Sequence, residues 1–426
     1  MDAKGNGYVR APALRRPVVS TSSNDPFRSV LRHRQFLIFL ASSTAGNVGY
    51  AVYAISIPWL TYSVSHSYAV VGAALFIELA SYACVFLVGP IVDRTSNQRS
   101  IFLACYPPMA VAVSAIGLGA ARGFLTVPLL LALVAVVSIL WDFVWAADNA
   151  APGILLTTDQ QFAAQGITGA VGSTNAIAGY AAGGALIFVV GPSGGLYLYA
   201  ILLVAGALLA LPLRIIPPPH EPESFAESFR EGWRFVASGP GRPFLQLGSI
   251  DGVQGFFLAA PALYITLFAE TTFHASAFAY SLLFVCEVVG GAAAGWAFGR
   301  WNPRSRVGPL LGLTLVCASA AVALSAGAPA WLALEAGAFF AIGFAWSSYT
   351  DVKYAFLRGA IPPGQLARGT SNLWLFPGVT SSAGALVLGS LATSGDPRLF
   401  GGVLGAGLLA AGLLAFAMPA VRSMKY

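Results

Sequence analysis

Long apolar runs broken by short polar stretches dominate the chain. A bilayer core about 30 Å thick needs about 20 apolar residues per helix. Twelve runs meet that need: 36–60, 68–92, 100–121, 124–147, 166–190, 196–214, 243–269, 276–298, 307–327, 330–355, 369–392 and 399–420. None alternates apolar and polar positions as a membrane β-strand does. Connections as short as 191–195 and 327–329 predict antiparallel helix pairs. The pattern predicts an all-α integral membrane protein whose twelve transmembrane helices form two six-helix bundles, 36–214 and 243–420. Residues 1–35 read as a polar tail, 215–242 as a linker and 421–426 as a short terminus. Within the linker, Phe225, Phe229, Trp233 and Val236 recur at helical spacing, so 224–237 is expected to be a helix at the membrane surface.

Composition agrees. Hydrophobic residues make up 57% and charged residues 9% of the 426, with a mean hydropathy of +0.73. A soluble domain carries about 25% charged residues. The shortage excludes a soluble globular protein, a disordered chain and a basic nucleic-acid binder, despite the net charge of +6. Placement of the charges matters more. With the amino terminus in the cytosol, 21 of the 23 Lys and Arg fall on the inner side, and only Arg122 and Arg398 fall outside. The positive-inside rule therefore sets both termini in the cytosol of a cell membrane. Cys84, Cys105, Cys286 and Cys317 lie in apolar runs and read as packing residues. The four histidines are scattered, so no metal or cofactor is expected.

The two halves repeat. Gly89-Pro-Ile-Val-Asp93-Arg94 ends the second span, and Gly295-Trp-Ala-Phe-Gly299-Arg300 ends the eighth, 206 residues later. His66 and His274 are 208 residues apart, Asn47 and Gln254 are 207 apart, and Asp148 and Asp351 are 203 apart. One nearly constant offset implies a duplicated six-helix unit, so the bundles are pseudo-symmetric about a central site.

Gly89-Pro-Ile-Val-Asp93-Arg94-Thr-Ser-Asn-Gln-Arg99 resembles the loop signature of the major facilitator superfamily, G-x-x-x-D-R with trailing basic residues, between the second and third of twelve spans. Three further stretches are similar to its drug and siderophore (macrolide-type) exporter branch. They are Pro58-Trp59-Leu60-Thr61-Tyr62, Glu231-Gly232-Trp233-Arg234-Phe235 and 362–368. The resemblance implies export of small, often amphipathic compounds, usually driven by protons. It has departures. Asn97 and Gln98 stand where basic residues are usual, and Gly299 replaces the second-half acid. Antiporters of this kind often carry G-x-x-x-G-P-x-x-G-G in the fifth span. Here the stretch is Asn175-Ala-Ile-Ala-Gly179-Tyr180-Ala-Ala-Gly183-Gly184. Gly179, Gly183 and Gly184 still permit close helix packing.

Acids at bilayer depth are functional candidates, because each costs several kcal/mol unless it faces a cavity or partner. Glu78 lies ten residues into its span and Glu287 eleven into its own, so both fall near the midplane. They are the candidate proton-coupling pair. Glu78 and Gly89 share a helix face, which directs Glu78 inward. Asn47, Asp142, Asn175, Asp251 and Gln254 are candidate cavity residues on the spans that line the cavity in the superfamily. Asp142 has a competing place at the inner headgroups beside Trp141 and Trp145. Gly89, Asp93, Arg94, Arg99, Asp148, Arg300 and Asp351 are candidates for an inner gate. In it Asp93 meets the start of the eleventh span at 369–371, Arg94 meets Asp148, and Arg300 meets Asp351. No intramembrane Lys or Arg is evident, which argues against a carrier of anions. A sugar carrier would show more polar lining.

The expected function is a proton-coupled, alternating-access exporter of small amphipathic or cationic compounds, acting as a monomer on a small-molecule substrate, protons and the bilayer. The alternatives are a nutrient or metabolite carrier and a non-transporting scaffold or receptor. An enzyme is not expected: Gly405-Ala-Gly407 lies inside an apolar span and follows no strand, unlike a dinucleotide loop.

Overall fold

The computed structural model describes residues 26–83, 88, 91–92, 95–216, 242–274, 276–301, 307–327, 329, 331–360 and 366–422. Among them the regular secondary structure is entirely helical. A short α1 (Pro26–Val30) precedes the first span, α2 (Arg34–Ser65). The first half continues through α3 (Tyr68–Ala83), α4 (Arg99–Arg122), α5 (Val127–Leu155), α6 (Thr158–Val190) and α7 (Pro192–Ala210). The second half begins with α8 (Arg242–Phe256) and α9 (Ala260–Thr271), which together make the seventh span. It continues with α10 (Ala277–Trp301), α11 (Val307–Gly327), α12 (Leu332–Ala360), α13 (Leu366–Ala392) and α14 (Pro397–Ala417), before a last turn, α15 (Pro419–Arg422). The seventh span breaks because Pro261 cannot donate its missing N–H to the preceding turn. The expected linker helix at 224–237 lies outside the described residues.

Several helices outrun the apolar runs that announced them. α5 ends at Leu155 and not 147, and α6 starts at Thr158 and not 166. The extra turns are polar, and an apolar criterion stops where the hydrocarbon stops while the helix continues. Asp148 is therefore inside α5, not at its end. α6 begins with a capping box, in which the Thr157 side chain and Gln160 satisfy each other's backbone N–H groups.

The repeat is visible in the backbone. His66 (φ 50°) and His274 (φ 52°) are the two non-glycine residues with positive φ among the described residues. Each turns the chain between the first two spans of its half. L-residues resist this conformation, with His, Asn and Asp the more tolerant.

The halves meet at the end of the bundle where α2 terminates, here called the far end; Arg34 marks the near end. Tyr280 Oη of α10 donates to the Ile55 carbonyl of α2 at 2.7 Å and is buried. Ser281 Oγ donates to the Tyr180 carbonyl of α6 at 3.2 Å. The Trp59 and Tyr280 rings lie 4.7 Å apart. On the other flank α3 presses on α13: a Cβ on Gly72 would stand 2.5 Å from the Ala385 carbonyl oxygen. At the near end the picture reverses. Gly166 is eighteen residues before Gly184, about five full turns, so both share one face of α6. A Cβ on Gly184 would overlap Ser281 of α10, whereas Gly166, Gly169 and Gly172 have nothing within 4 Å. The α6–α10 seam is closed at the far end and open at the near end.

Inside the second half, α10 and α12 approach through glycines. A Cβ on Gly343 would overlap the Glu287 carbonyl, and one on Gly290 would overlap that of Phe340. The same half buries an ion pair. Lys353 Nζ of α12 stands 3.0 Å from Asp251 Oδ1 of α8, and Tyr349 Oη donates to the same oxygen at 2.7 Å. The ammonium also sits 5.0 Å from the Tyr354 ring centroid and 5.5 Å from that of Tyr349.

Two outcomes follow for thermal unfolding in detergent. Gly343→Ala forces α10 and α12 apart and should lose roughly 1–3 kcal/mol, while Gly166→Ala meets nothing and should be neutral or gain up to about 1 kcal/mol of helix propensity. Lys353→Met strands a buried carboxylate and should cost about 3–5 kcal/mol, and adding Asp251→Asn should recover most of it.

Candidate functional site

Glu78 sits on α3, half-buried, and accepts a short hydrogen bond from the Tyr50 hydroxyl of α2. Tyr50 Oη in turn lies 3.4 Å from Tyr82 Oη. Tyr82 follows Glu78 by one helical turn, so both point to the same side of α3. The Tyr50 ring stacks on Trp141 of α5 at 4.2 Å with the planes 1° apart. Trp145, one turn further along α5, meets Tyr82 edge-on at 6.4 Å. Asp142 lies between the two tryptophans in sequence and is 2% exposed, with no hydrogen-bond partner for Oδ1. Trp141 and Asp142 thus pack within the bundle. Among the described residues no Lys or Arg pairs with Glu78 or Asp142.

Glu287 comes from the other half, on α10, also half-buried. Tyr180 of α6 lies within electrostatic range of both Glu78 and Glu287, and its ring packs 5.3 Å from Phe284. The residue that replaces the antiporter proline thus lies at the contact of the two halves, its carbonyl accepting from Ser281 of α10. Gly179 and Gly183 set the depth at which it does so. A Cβ on Gly179 would stand 2.5 Å from Ala51 Cβ, and one on Gly183 3.1 Å from Ile55 Cγ2, so α6 lies directly on α2.

The other candidates fall in three places. Asn47 joins Asp148, not the Glu78 cluster: Asp148 Oδ2 accepts from Ser43 Oγ at 2.8 Å and from Asn47 Nδ2 at 3.1 Å. Asn175 is buried on α6. Asp251 and Gln254 are buried on α8, and Asp251 is held by Lys353 and Tyr349. The absence of an intramembrane cation expected from the sequence is corrected by Lys353. It stands 21 residues into α12, near its end, where nothing in the sequence marks it as buried.

Of the gate candidates, Gly89, Asp93 and Arg94 lie outside the described residues, as do the side chains of Arg300 and 369–371. Asp351 Oδ2 faces Gly295 of α10, 3.7 Å from where a Cβ would stand. Arg99 Nη1 donates to the Leu211 carbonyl at 3.0 Å. Asn97 Oδ1 accepts from Ile215 N at 3.2 Å, and Gln98 N donates to Ile215 O at 2.9 Å. These residues fasten the loop before α4 to the end of α7.

Sequence reasoning passed over Tyr50, Tyr82, Tyr180 and the two tryptophans as contributors to the site. The signal was present: Tyr50 lies three residues after Asn47, Tyr82 four after Glu78, and Trp141 and Trp145 flank Asp142.

The family model described as Major Facilitator Superfamily matches residues 39–371. The enterobactin exporter EntS of Citrobacter koseri is 27% identical over 394 residues, covering 89% of this chain and 88% of that protein. The enterobactin exporter EntS of Salmonella typhimurium is 28% identical over 398 residues, covering 89% of each. Among solved structures, the nucleoside transporter NupG superposes with a TM-score of 0.70 at 14% identity, covering 91% of this chain and 99% of that one. A bacterial homologue of the human lysosomal transporter Spinster, in an inward-facing and occupied conformation, gives 0.68 at 15% identity, covering 95% and 99%. The structural likenesses establish the fold. The family match spans most of the helices that carry the acids, and the chain is a membrane transporter of the major facilitator superfamily, not an enzyme.

Proposed function

We propose that this chain exports small amphipathic compounds by alternating access, in exchange for protons, with both termini in the cytosol of the cell membrane. The observation that carries the reading is the placement of Glu78 and Glu287. Glu78 on α3 and Glu287 on α10 are half-buried carboxylates near the middle of their helices, one from each half. An acid at that depth is tolerated when it takes a proton or a cationic ligand. Competition of the two for one negative charge is sufficient to exchange them across the membrane.

The positive-inside rule assigns the near end to the cytosol. The open α6–α10 seam then faces the cytosol and the closed contacts face outward, which is the state that loads a compound for export. Similarity to the enterobactin exporters supports the direction. Lys353 does not redirect the reading toward anions, because its charge is cancelled by Asp251. The bilayer, a small-molecule substrate and protons are the partners, and a single chain contains the whole pathway. In this scheme Asp148, Arg99 and the residues around Asp93 and Arg300 belong to the inner closure, which forms when the near end shuts.

In inverted vesicles, a pH gradient should drive uptake of fluorescent amphipathic compounds. Glu78→Gln and Glu287→Gln should both insert and fold, since an amide is cheaper to bury than a carboxylate. At least one should lower gradient-driven transport by roughly 100-fold, the scale of one lost proton-transfer group. Undiminished pH-driven transport in the double variant would refute proton coupling through these acids.

A further inference from the structure

We infer that the near end of the first half carries a seat for an anionic phospholipid. Its phosphate lies on Arg32, Arg34, Arg99 and Arg214, and an acyl chain runs along α7. The inference goes beyond the exporter reading and does not depend on it. Three separate stretches of chain build the basic corner. The turn between α1 and α2 carries Arg32, and α2 opens with Arg34; both are exposed, and Val30 and Phe36 on either side are fully buried. Past the end of α7, Leu213 and Ile215 are fully buried, so Arg214 between them is turned outward. Arg99 opens α4.

Hydrogen bonds hold the three stretches together. Gln35, beside Arg34, donates Nε2 to the Pro212 carbonyl at 3.4 Å and accepts from Arg214 N at 2.9 Å. Asn97 Oδ1 accepts from both Arg99 N and Ile215 N at 3.2 Å, and Arg99 Nη1 donates to the Leu211 carbonyl. The backbone that carries the four arginines is therefore fixed by the protein itself. Among the described residues none of the four stands in an ion pair. Like charges brought together repel, and one shared anion relieves them all. The planar guanidinium fork matches phosphate oxygens better than an ammonium does.

The neighbouring apolar surface selects a lipid over a free anion. Ile201, Val204, Leu208 and Leu211 recur at i, i+3, i+7 and i+10, and all four are exposed. They make one apolar stripe about 15 Å long on α7. Its upper end is Leu211, the residue whose carbonyl holds Arg99. An exposed apolar face is ordinary on a membrane span, but this one begins at a fixed basic corner. The molecule that matches both carries a phosphate at one end and hydrocarbon at the other. Basic clusters between spans on the cytosolic side bind anionic headgroups for this reason. A zwitterionic headgroup brings its own cation to the corner and gains less.

Native mass spectrometry of the purified full-length protein in detergent tests the seat without transport. The probes are phosphatidylglycerol and phosphatidylcholine with the same two oleoyl chains. Phosphatidylglycerol should bind at least about ten-fold more tightly. Arg34→Gln and Arg214→Gln should each weaken it about five-fold, the scale of one basic residue at an anionic surface, and leave phosphatidylcholine unchanged. Arg32→Gln, in the turn before α2, should weaken it likewise. Lys at positions 34 and 214 keeps the charge and should keep most of the preference. Arg122→Gln with Arg398→Gln removes two exposed charges from the far end and should change nothing. Glycerol 3-phosphate in large excess should not displace the lipid, because it lacks the chain. Equal binding of the two lipids by the parent overturns the seat, as does an equal loss in the far-end pair. Displacement by glycerol 3-phosphate would make the corner a site for free phosphates and overturn the lipid. Failure of the exporter reading looks different: no compound would move with a pH gradient, whatever lipid is bound.

Discussion

Charge in hydrocarbon is the constraint on which the rest of this structure depends. A carboxylate at bilayer depth is tolerated only against a partner or a cavity, and the two halves answer that demand differently. The second half supplies its own cation, with Lys353 beside Asp251 and the Tyr349 hydroxyl on the same oxygen. The first half surrounds Glu78 and Asp142 with aromatic rings and no base. Duplication gave both halves the same helices, but divergence gave Asp251 a cation of its own and left Glu78, Asp142 and Glu287 with no ion pair among the described residues.

Glycine decides where the halves touch. Gly72 and Gly184 let α3 and α6 lie against α13 and α10 at the far end. The same face of α6 continues through Gly166, which meets nothing. The small residues of α6 are thus engaged over one part of its length and vacant over the other. Tyr180 lies within the engaged turns, between Gly179 and Gly183, where its carbonyl accepts from Ser281 of α10.

Much of this was legible in the sequence. Hydropathy found the spans, because every backbone polar group in lipid must be satisfied within a helix. The constant offset between His66 and His274 is matched by their shared left-handed turns. Hydropathy misplaced the ends of α5 and α6, since helices run on past the hydrocarbon, and so it set Asp148 at a terminus. It also hid Lys353, whose burial depends on an acid about a hundred residues away on α8. The site's acids stood out as rare charges in apolar runs. Its tyrosines and tryptophans did not, because an aromatic residue in an apolar run is indistinguishable from filler until a neighbouring helix brings a second ring against it.

The acids within the spans also matter in an electric field. Carrying one elementary charge across the whole membrane is worth about 2.3 kcal/mol per 100 mV. A proton that reaches Glu78, ten residues into α3, or Glu287, ten residues into α10, crosses only part of that field. The Asp251–Lys353 pair is neutral and moves no net charge when its bundle tilts. Voltage therefore acts on this protein through the unpaired acids Glu78 and Glu287, one in each half, and not through that pair.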